Sequence, residues 1–376
     1  MGSDNRMSSG GLPLISVVMP VYNGEEFLVD AIRSVQAQTY PHWDLTIGNN
    51  RSTDRTLAIA EAFAVEDPRI RVVTYPTFVS VVESHNTVFT LISDDAKYCK
   101  CLDADDLLFP TCLEEMVRVA EQSPTVGMVI SYVLAGDDVI VRPYKFPNTV
   151  VSGREVVRSR FLEDGTFFAG PTQSLLRADI VRAKAPFYNP INYHGDIEAY
   201  LDLLREYDLG FVHQILTCMR TGPASRTTSY LGRVQSAAAV RMDELKKFGP
   251  SYLTEEEFSK RLDEATQAYY RFLGESLWEF RSKDFWDYHL KHVKALGHTP
   301  RYGLIAWYAL LRFLDFVGNP LRSLKGLARR VIRPREPQRG QRSEHGPRPT
   351  APSLGPTTAV GSSGSRSSVH ATTAAR

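Results

Sequence analysis

The chain has 376 residues, 43% hydrophobic and 23% charged, a globular composition long enough for one large domain or two smaller ones. Its net charge of +1 carries no nucleic-acid signature, yet the charge is uneven: residues 301–376 hold 13 Lys and Arg against 3 Asp and Glu, leaving 31 against 40 in residues 1–300. Four cysteines (Cys99, Cys101, Cys112 and Cys218) are too few for a disulfide framework, and no run of about 18 apolar residues offers a membrane span.

Residues 1–12 are small and polar, a flexible leader with no signal-peptide core. With reduced cysteines, this points to a cytoplasmic protein. In "LISVVMPVYNGEEF", Leu14–Val21 is β-branched and continuously apolar, the pattern of a buried parallel strand. Asn23-Gly24 ends it, and Glu25–Gln38 has helical spacing. "WDLTIGNNRSTDRT" repeats the plan with a strand at Trp43–Ile47, a polar turn and a helix from Asp54. Arg69–Tyr75 reads as a third strand, Ser80–Ser93 as a helix and Lys97–Asp103 as a fourth strand. Thr111–Gln122 reads as a helix and Val126–Val133 as a fifth strand. Strands alternating with helices indicate an α/β domain with a mostly parallel sheet flanked by helices.

Beyond it come hairpin strands around Asp137–Tyr144 and a helix over Ser152–Leu162. "PTQSLLRADIV" reads as a strand entering a short helix, "HGDIEAYLDLLREYD" as a helix and "LGFVHQILTCMR" as a strand. From Thr254 the pattern is helical almost to Ile332, broken at Gly297–Pro300 and at Asn319-Pro320. Residues 335–376 have almost no large apolar side chains and read as a disordered tail. The domain division is therefore 13–230 for the α/β domain and 231–334 for a helical C-terminal extension.

Ligands of such sheets bind beyond the carboxyl ends of the strands. Three loops qualify: Pro20–Gly24, Gly48–Asp54 and Asp103–Asp106. The third, in "KYCKCLDADDLLFP", sets three carboxylates at the end of a buried strand. Like charges repel there unless a cation completes the cluster, and oxygen ligands in a D-x-D spacing suit Mn²⁺ or Mg²⁺. The plainer alternative is a solvated turn whose Asp105 and Asp106 complement the next helix dipole.

"ISVVMPVYNGEEFLVDAIRSVQAQTYPHWDLTIGNNRSTDRT", followed by "CLDADDLLFP", resembles the family-2 glycosyltransferases of GT-A fold, over roughly residues 14–230. The resemblance implies transfer of a sugar from a nucleotide-diphospho-sugar to a saccharide or lipid-linked acceptor. It implies that Pro20, Tyr22 and Asn23 line the nucleobase pocket and that Asn49 and Asp54 belong to the second nucleotide-binding loop. Asp103 would contact the ribose or sugar, and Asp105 would hold the metal. Asp196 would be the general base of an inverting displacement, with Glu198 the runner-up. Three departures stand out: Asn49 replaces an acid, His85-Asn86 replaces an Arg-Asn pair, and "MRTGPASRTTS" lacks the histidine many relatives carry. His85 and His194 read as packing histidines or substrate contacts. Arg220 and Arg226 read as diphosphate contacts or as solvated side chains. Two other readings are a nucleotide-sugar-binding protein without transferase activity and, from fold analogy, a nucleotidyltransferase.

The aromatic and basic stretch "YGLIAWYALLRFLDFVGNPLRSLKGLARRVIR" has two readings. One is a helix lying at the inner face of the cell membrane, its basic residues near anionic headgroups. The other is a helical pair packed on the catalytic domain or on a second subunit.

Overall fold

A computed structural model describes residues 11–136, 138–140, 147–163, 170–190, 192, 194–220, 232–295 and 299–318. Asp137, most of the expected hairpin toward Tyr144, Arg226, the break at Asn319-Pro320 and the 335–376 tail lie outside the described residues. Contacts divide the chain into a unit of residues 1–324 and a second of 325–376, also outside them.

Among the described residues, six strands run in one direction and four against them. The six are β1 (Ile15–Val21), β2 (Trp43–Asn49), β3 (Ile70–Thr74), β4 (Tyr98–Cys101), β6 (Val126–Ala135) and β10 (Asp208–Met219). The four are β5 (Leu107–Leu108), β7 (Asp138–Ile140), β8 (Val150–Val151) and β9 (Ser174–Arg177). The sheet order is β3-β2-β1-β4-β9-β6-β10-β5, so β9 is an antiparallel strand wedged between β4 and β6. Every residue of β1 and β4 is buried, as expected of strands covered on both faces. Each fully buried Val or Ile there contributes about 1.5–3 kcal/mol of transfer free energy.

The chain leaves β1 for β2 and β3 on one side, then crosses back to place β4 on the other. The order therefore reverses between β1 and β4, where open α/β sheets form their ligand crevice. Pro20 fits this point. The Val18 carbonyl, on the same side of the strand as Pro20, accepts the Leu102 N–H, and the β1–β4 ladder ends at Val18. Proline's missing N–H thus faces a place where no ladder bond is due. Opposite it, Gly48 leaves no room for a Cβ, which would run into the Tyr75 hydroxyl and Val88.

The helices are α1 (Leu28–Gln36), α2 (Thr56–Glu66), α3 (Val81–Phe89), α4 (Cys112–Ala120), α5 (Gly153–Glu163), α6 (Ala178–Ala183), α7 (Gly195–Leu203), α8 (Gly232–Val234), α9 (Ala237–Tyr252), α10 (Glu255–Ser276), α11 (Lys283–Ala295) and α12 (Tyr302–Gly318). Ser80 and Thr254 each start a helix with a reciprocal capping box, through Glu83 and Glu257. The helical region is not a body apart. Leu245, Phe248 and Tyr252 of α9 share a core with Ala199, Tyr200 and Leu203 of α7, and the Tyr252 hydroxyl donates to the Leu201 carbonyl. Residues 1–324 form one unit by their contacts, and the expected 230/231 division lies outside the described residues.

Candidate active site

The first two loops are tied to each other. Asn23 and Arg51 adopt positive φ, at 50° and 60°, a region asparagine tolerates well. The Asn23 N–H donates to Ser52 Oγ at 3.0 Å, and Asn23 Oδ1 accepts the Thr53 N–H at 2.8 Å. Asp54 accepts the Glu25 N–H (3.2 Å) and, on its other oxygen, the N–H (3.0 Å) and hydroxyl (2.5 Å) of Thr56. Burial pushes the Asp54 carboxyl up, but the Thr56 bonds outweigh it and hold the group below its usual value. Asn49 is buried; its Oδ1 accepts the Ser52 N–H at 3.1 Å and its amide donates to Thr74 at 3.2 Å. Asn50 closes both ends of its amide on the Val79 backbone at 2.9 Å. Asp54 and Asn49 therefore shape the loops, with their polar atoms turned to protein partners.

Tyr22 is exposed at the rim of these loops, its ring edge-on to Phe78 at 4.8 Å between centroids. Phe78 was not among the expected site residues. The signal for it was a lone large apolar side chain in the polar run Pro76-Thr77-Phe78, and it is 55% exposed.

The third loop differs. His85 Nδ1 faces the Val81 carbonyl at 2.9 Å and Nε2 faces Asp103 Oδ1 at 2.8 Å. Both partners only accept, so both ring nitrogens carry protons and His85 is an imidazolium. Burial opposes this charge, but Asp103 prevails and the pKa stands well above the usual histidine value. His85 is therefore a partner of Asp103, more than the packing residue or substrate contact read from sequence. The Asp103 N–H is held by Thr172 Oγ1 at 3.1 Å, on the turn leading into β9.

Asp105 is exposed, and desolvation by the surrounding loops together with the Asp103 charge holds its carboxyl above the usual range. Asp106 is buried and pushed up to about 8 by burial, then by Asp103; its Oδ1 accepts the Arg220 N–H at 3.2 Å. The Arg220 guanidinium pairs with Asp30 Oδ2 at 2.8 Å and lies over the Phe27 ring. Among the described residues, one trio brings metal-ligand atoms within 4.8 Å of one another: His85, Cys101 and Asp103. Asp105 is outside it. An exposed hard carboxylate fits an Mn²⁺ or Mg²⁺ ion that takes its other ligands from diphosphate and water.

α3 joins this loop to the last site element. His85 grips Asp103; the next residue, Asn86, donates to the Tyr188 carbonyl and accepts the Tyr188 N–H, both at 2.8 Å. Tyr188 lies in the segment entering α7, and its hydroxyl meets that of Tyr200, which also meets Ser174 Oγ, each at 3.0 Å. Asp196 sits in the first turn of α7. Burial pushes its carboxyl up to about 6; the Ile197 N–H and the His85 charge pull it down, and Asp103 adds to the rise. The acidic loop and Asp196 thus lie within electrostatic reach of each other. Glu198 is committed elsewhere, accepting from Lys247 (2.7 Å), Asn192 (2.8 Å) and Asn189 (3.0 Å). Burial raises Glu198, but these donors win and keep it below its usual value. His194 precedes the helix, facing Ser236 Oγ at 3.3 Å, and burial lowers its pKa.

Among the described cavities, one of about 360 Å³ lined by Arg160, Glu244 and Arg261 shares no lining residue with these loops.

The sheet thus carries carboxylates in the loop after β4 and in the first turn of α7. Residues 16–183 match the Glycosyl transferase family 2 model. A glycosyltransferase of Haemophilus influenzae is 28% identical over 199 residues, covering 53% of this chain and 55% of the relative. Escherichia coli WfgD, named as a UDP-Glc:α-D-GlcNAc-diphosphoundecaprenol β-1,3-glucosyltransferase, is 27% identical over 207 residues, covering 55% and 76%. The chain spans about half or less of the length of several curated relatives it matches. The fold is shared with S. aureus TarS (residues 1–349), solved with UDP-GlcNAc, at a TM-score of 0.54, 15% identity and coverage of 69% and 73%.

Proposed function

We propose that this chain transfers a sugar, with inversion, from a nucleotide-diphospho-sugar to a hydroxyl of a saccharide or lipid-linked acceptor. The observation that carries this is the link through α3, where adjacent residues hold Asp103 and the segment entering α7, whose Asp196 is poised to take a proton.

The tied loops after β1 and β2 receive the nucleoside, with the Tyr22–Phe78 pair offering aromatic surface to the base. Asp103, oriented by His85, takes a hydroxyl of the ribose or sugar. Asp105 holds Mn²⁺ or Mg²⁺, whose chemistry when bound is to offset charge on the departing diphosphate. Asp196 accepts the acceptor O–H proton while that oxygen forms its bond to the anomeric carbon from the face opposite the leaving group. The carbon–oxygen bond to the diphosphate breaks with that electron pair, through an oxocarbenium-like transition state. A pKa near 6 leaves Asp196 ionised at neutral pH and still basic.

A lipid-linked acceptor is part of the proposal, motivated by the acceptor in the WfgD name. The test pairs a thermal-shift panel of nucleoside diphosphates and their sugars, with and without Mn²⁺, with product analysis. Acceptor-dependent release of a nucleoside diphosphate is expected. Pyrophosphate release would make the protein a nucleotidyltransferase, and binding without turnover would make it a binding protein.

A further inference from the structure

Helix α12 presents its apolar stripe away from the fold. Leu304, Ile305 and Tyr308 face α10, where Gly274 admits the Tyr308 side chain and the Ile305 carbonyl closer than any Cβ would allow. Trp278 adds a bond from its indole N–H to the Ala309 carbonyl (2.9 Å) and stacks on Phe313. That uses about half of the helix surface. At the helical spacing of 100° per residue, Trp307, Leu310, Leu314 and Val317 fall on the opposite half. They are 46–57% exposed and carry no charge among them. The helix's two charges, Arg312 and Asp315, lie on the α10-facing half beyond Tyr308 and pair with each other at 3.6 Å. An amphipathic surface helix normally turns its apolar side chains inward. Here every residue beyond Ala309 is exposed, Phe313 and Phe316 included, so a large apolar surface remains outside the packing with α10.

The sequence after α12 names the occupant. From Asn319 to Arg335 it holds Arg322, Lys325, Arg329, Arg330, Arg333 and Arg335 with no acidic residue. Whatever path this segment takes, it starts from the end of the apolar stripe. A second copy of this segment would bring no acidic side chain of its own to pair with the basic run. A surface that is apolar below and anionic above satisfies both features: aromatic and leucine side chains enter the headgroup–acyl boundary while the basic run meets lipid phosphates. No helix among the described residues is long and apolar enough to cross a membrane. The geometry points to α12 as a docking face for an anionic lipid bilayer. The inference stands apart from the transferase reading, because it uses no residue of the crevice.

The test is flotation of the full chain with phosphatidylcholine vesicles, with and without phosphatidylglycerol, alongside analytical ultracentrifugation. Co-flotation with the anionic vesicles is expected. Trp307→Glu with Leu314→Glu, both exposed, should cut bound protein by at least about tenfold, since charges at such depth are strongly disfavoured. Replacing Arg322, Lys325, Arg329 and Arg330 with Gln should remove the anionic preference, at about 1 kcal/mol per charge. Unchanged donor thermal shifts in these variants would show that fold and crevice are intact. Absent flotation, flotation unaffected by both replacements, or a dimer dissolved by the glutamate pair would each overturn the proposal.

Discussion

The two halves of the sheet edge use similar side chains in opposite ways. On the β1–β2 side, Asn23, Asn49, Asn50 and Asp54 are spent on neighbouring backbone and hydroxyl groups, and Asp54 is held below its usual pKa. On the β4–α7 side, Asp105, Asp106 and Asp196 are all raised, by burial and by the Asp103 charge. The first half has spent its polar atoms on shape. The second retains electrostatic stress that a substrate or ion can relieve, which is where chemistry is expected. One carboxylate of the second half, Glu198, behaves like the first, its oxygens held by three donors.

Asp196→Asn should break this comparison hardest. It removes the proton acceptor with little change in shape, so a kcat loss of about 10²–10⁴-fold is expected with donor thermal shifts retained. In the native protein kcat/KM should climb as pH rises through about 6, because Asp196 must be ionised to accept a proton. The same group opposes stability when ionised: its folded pKa is raised, so its charged form is disfavoured by folding above about 6. An acid limb left in place by Asp196→Asn, measured on residual activity, would remove Asp196 as the base.

A smaller effect is expected at His85. His85→Ala leaves the Asp103 carboxylate without its charged partner, a loss of about 1.5–3 kcal/mol and so about tenfold or more in kcat/KM. His85→Arg keeps a cation in reach and should recover most of that, whereas His85→Gln should not. Equal activity in the Arg and Gln variants would mean that shape, not charge, is what Asp103 needs.

Glu198→Ala sharpens the contrast from the other side. Its carboxylate is held by three donors, so its removal should cost stability, about 1–2 kcal/mol after allowing for the exposure of Lys247. Turnover should survive. Its folded pKa is lowered, so its contribution is present above the unfolded value and fades as acid protonates it. Denaturation curves at neutral and acid pH read this directly, and a kcat loss matching that of Asp196→Asn would reverse the two assignments.

Much of this was legible because it is local. The apolar runs ending in Pro20, Asn49 and Asp103 mark the strands and their tips, and the acidic helix start marks Asp196. What the sequence could not carry is non-local. That β9 inserts antiparallel between β4 and β6 depends on partners 75–79 and 44–48 residues away along the chain. Helix α9 fell within the helical extension 231–334 but had no legible bounds, because Gly249 and Pro250 interrupt its last turn and its apolar residues follow no clean stripe. Asp54 and Asp196 are both aspartates at helix starts; only the donors around them separate a loop tie from a base. On α12, apolar spacing announces a face but not the direction in which it points.

Lys100 is the smallest lever and tests the floor beneath the stressed half. It is fully buried in β4, between Val17 and Leu175 in register, and its Nζ lies 3.5 Å from Met116 Sδ. Burial lowers its pKa, the expected response of an amine among apolar and thiol neighbours. Asp106, a few residues along, adds a weak opposing pull. Lys100→Met replaces the amine with a side chain of similar length and no desolvation cost, so stability should hold or rise by about 1 kcal/mol. Donor binding should not change. If Lys100→Met instead weakened donor binding while the fold stayed intact, the amine would belong with Asp106 and the acidic turn, and the charge balance of the β4 tip would extend one layer deeper into the sheet.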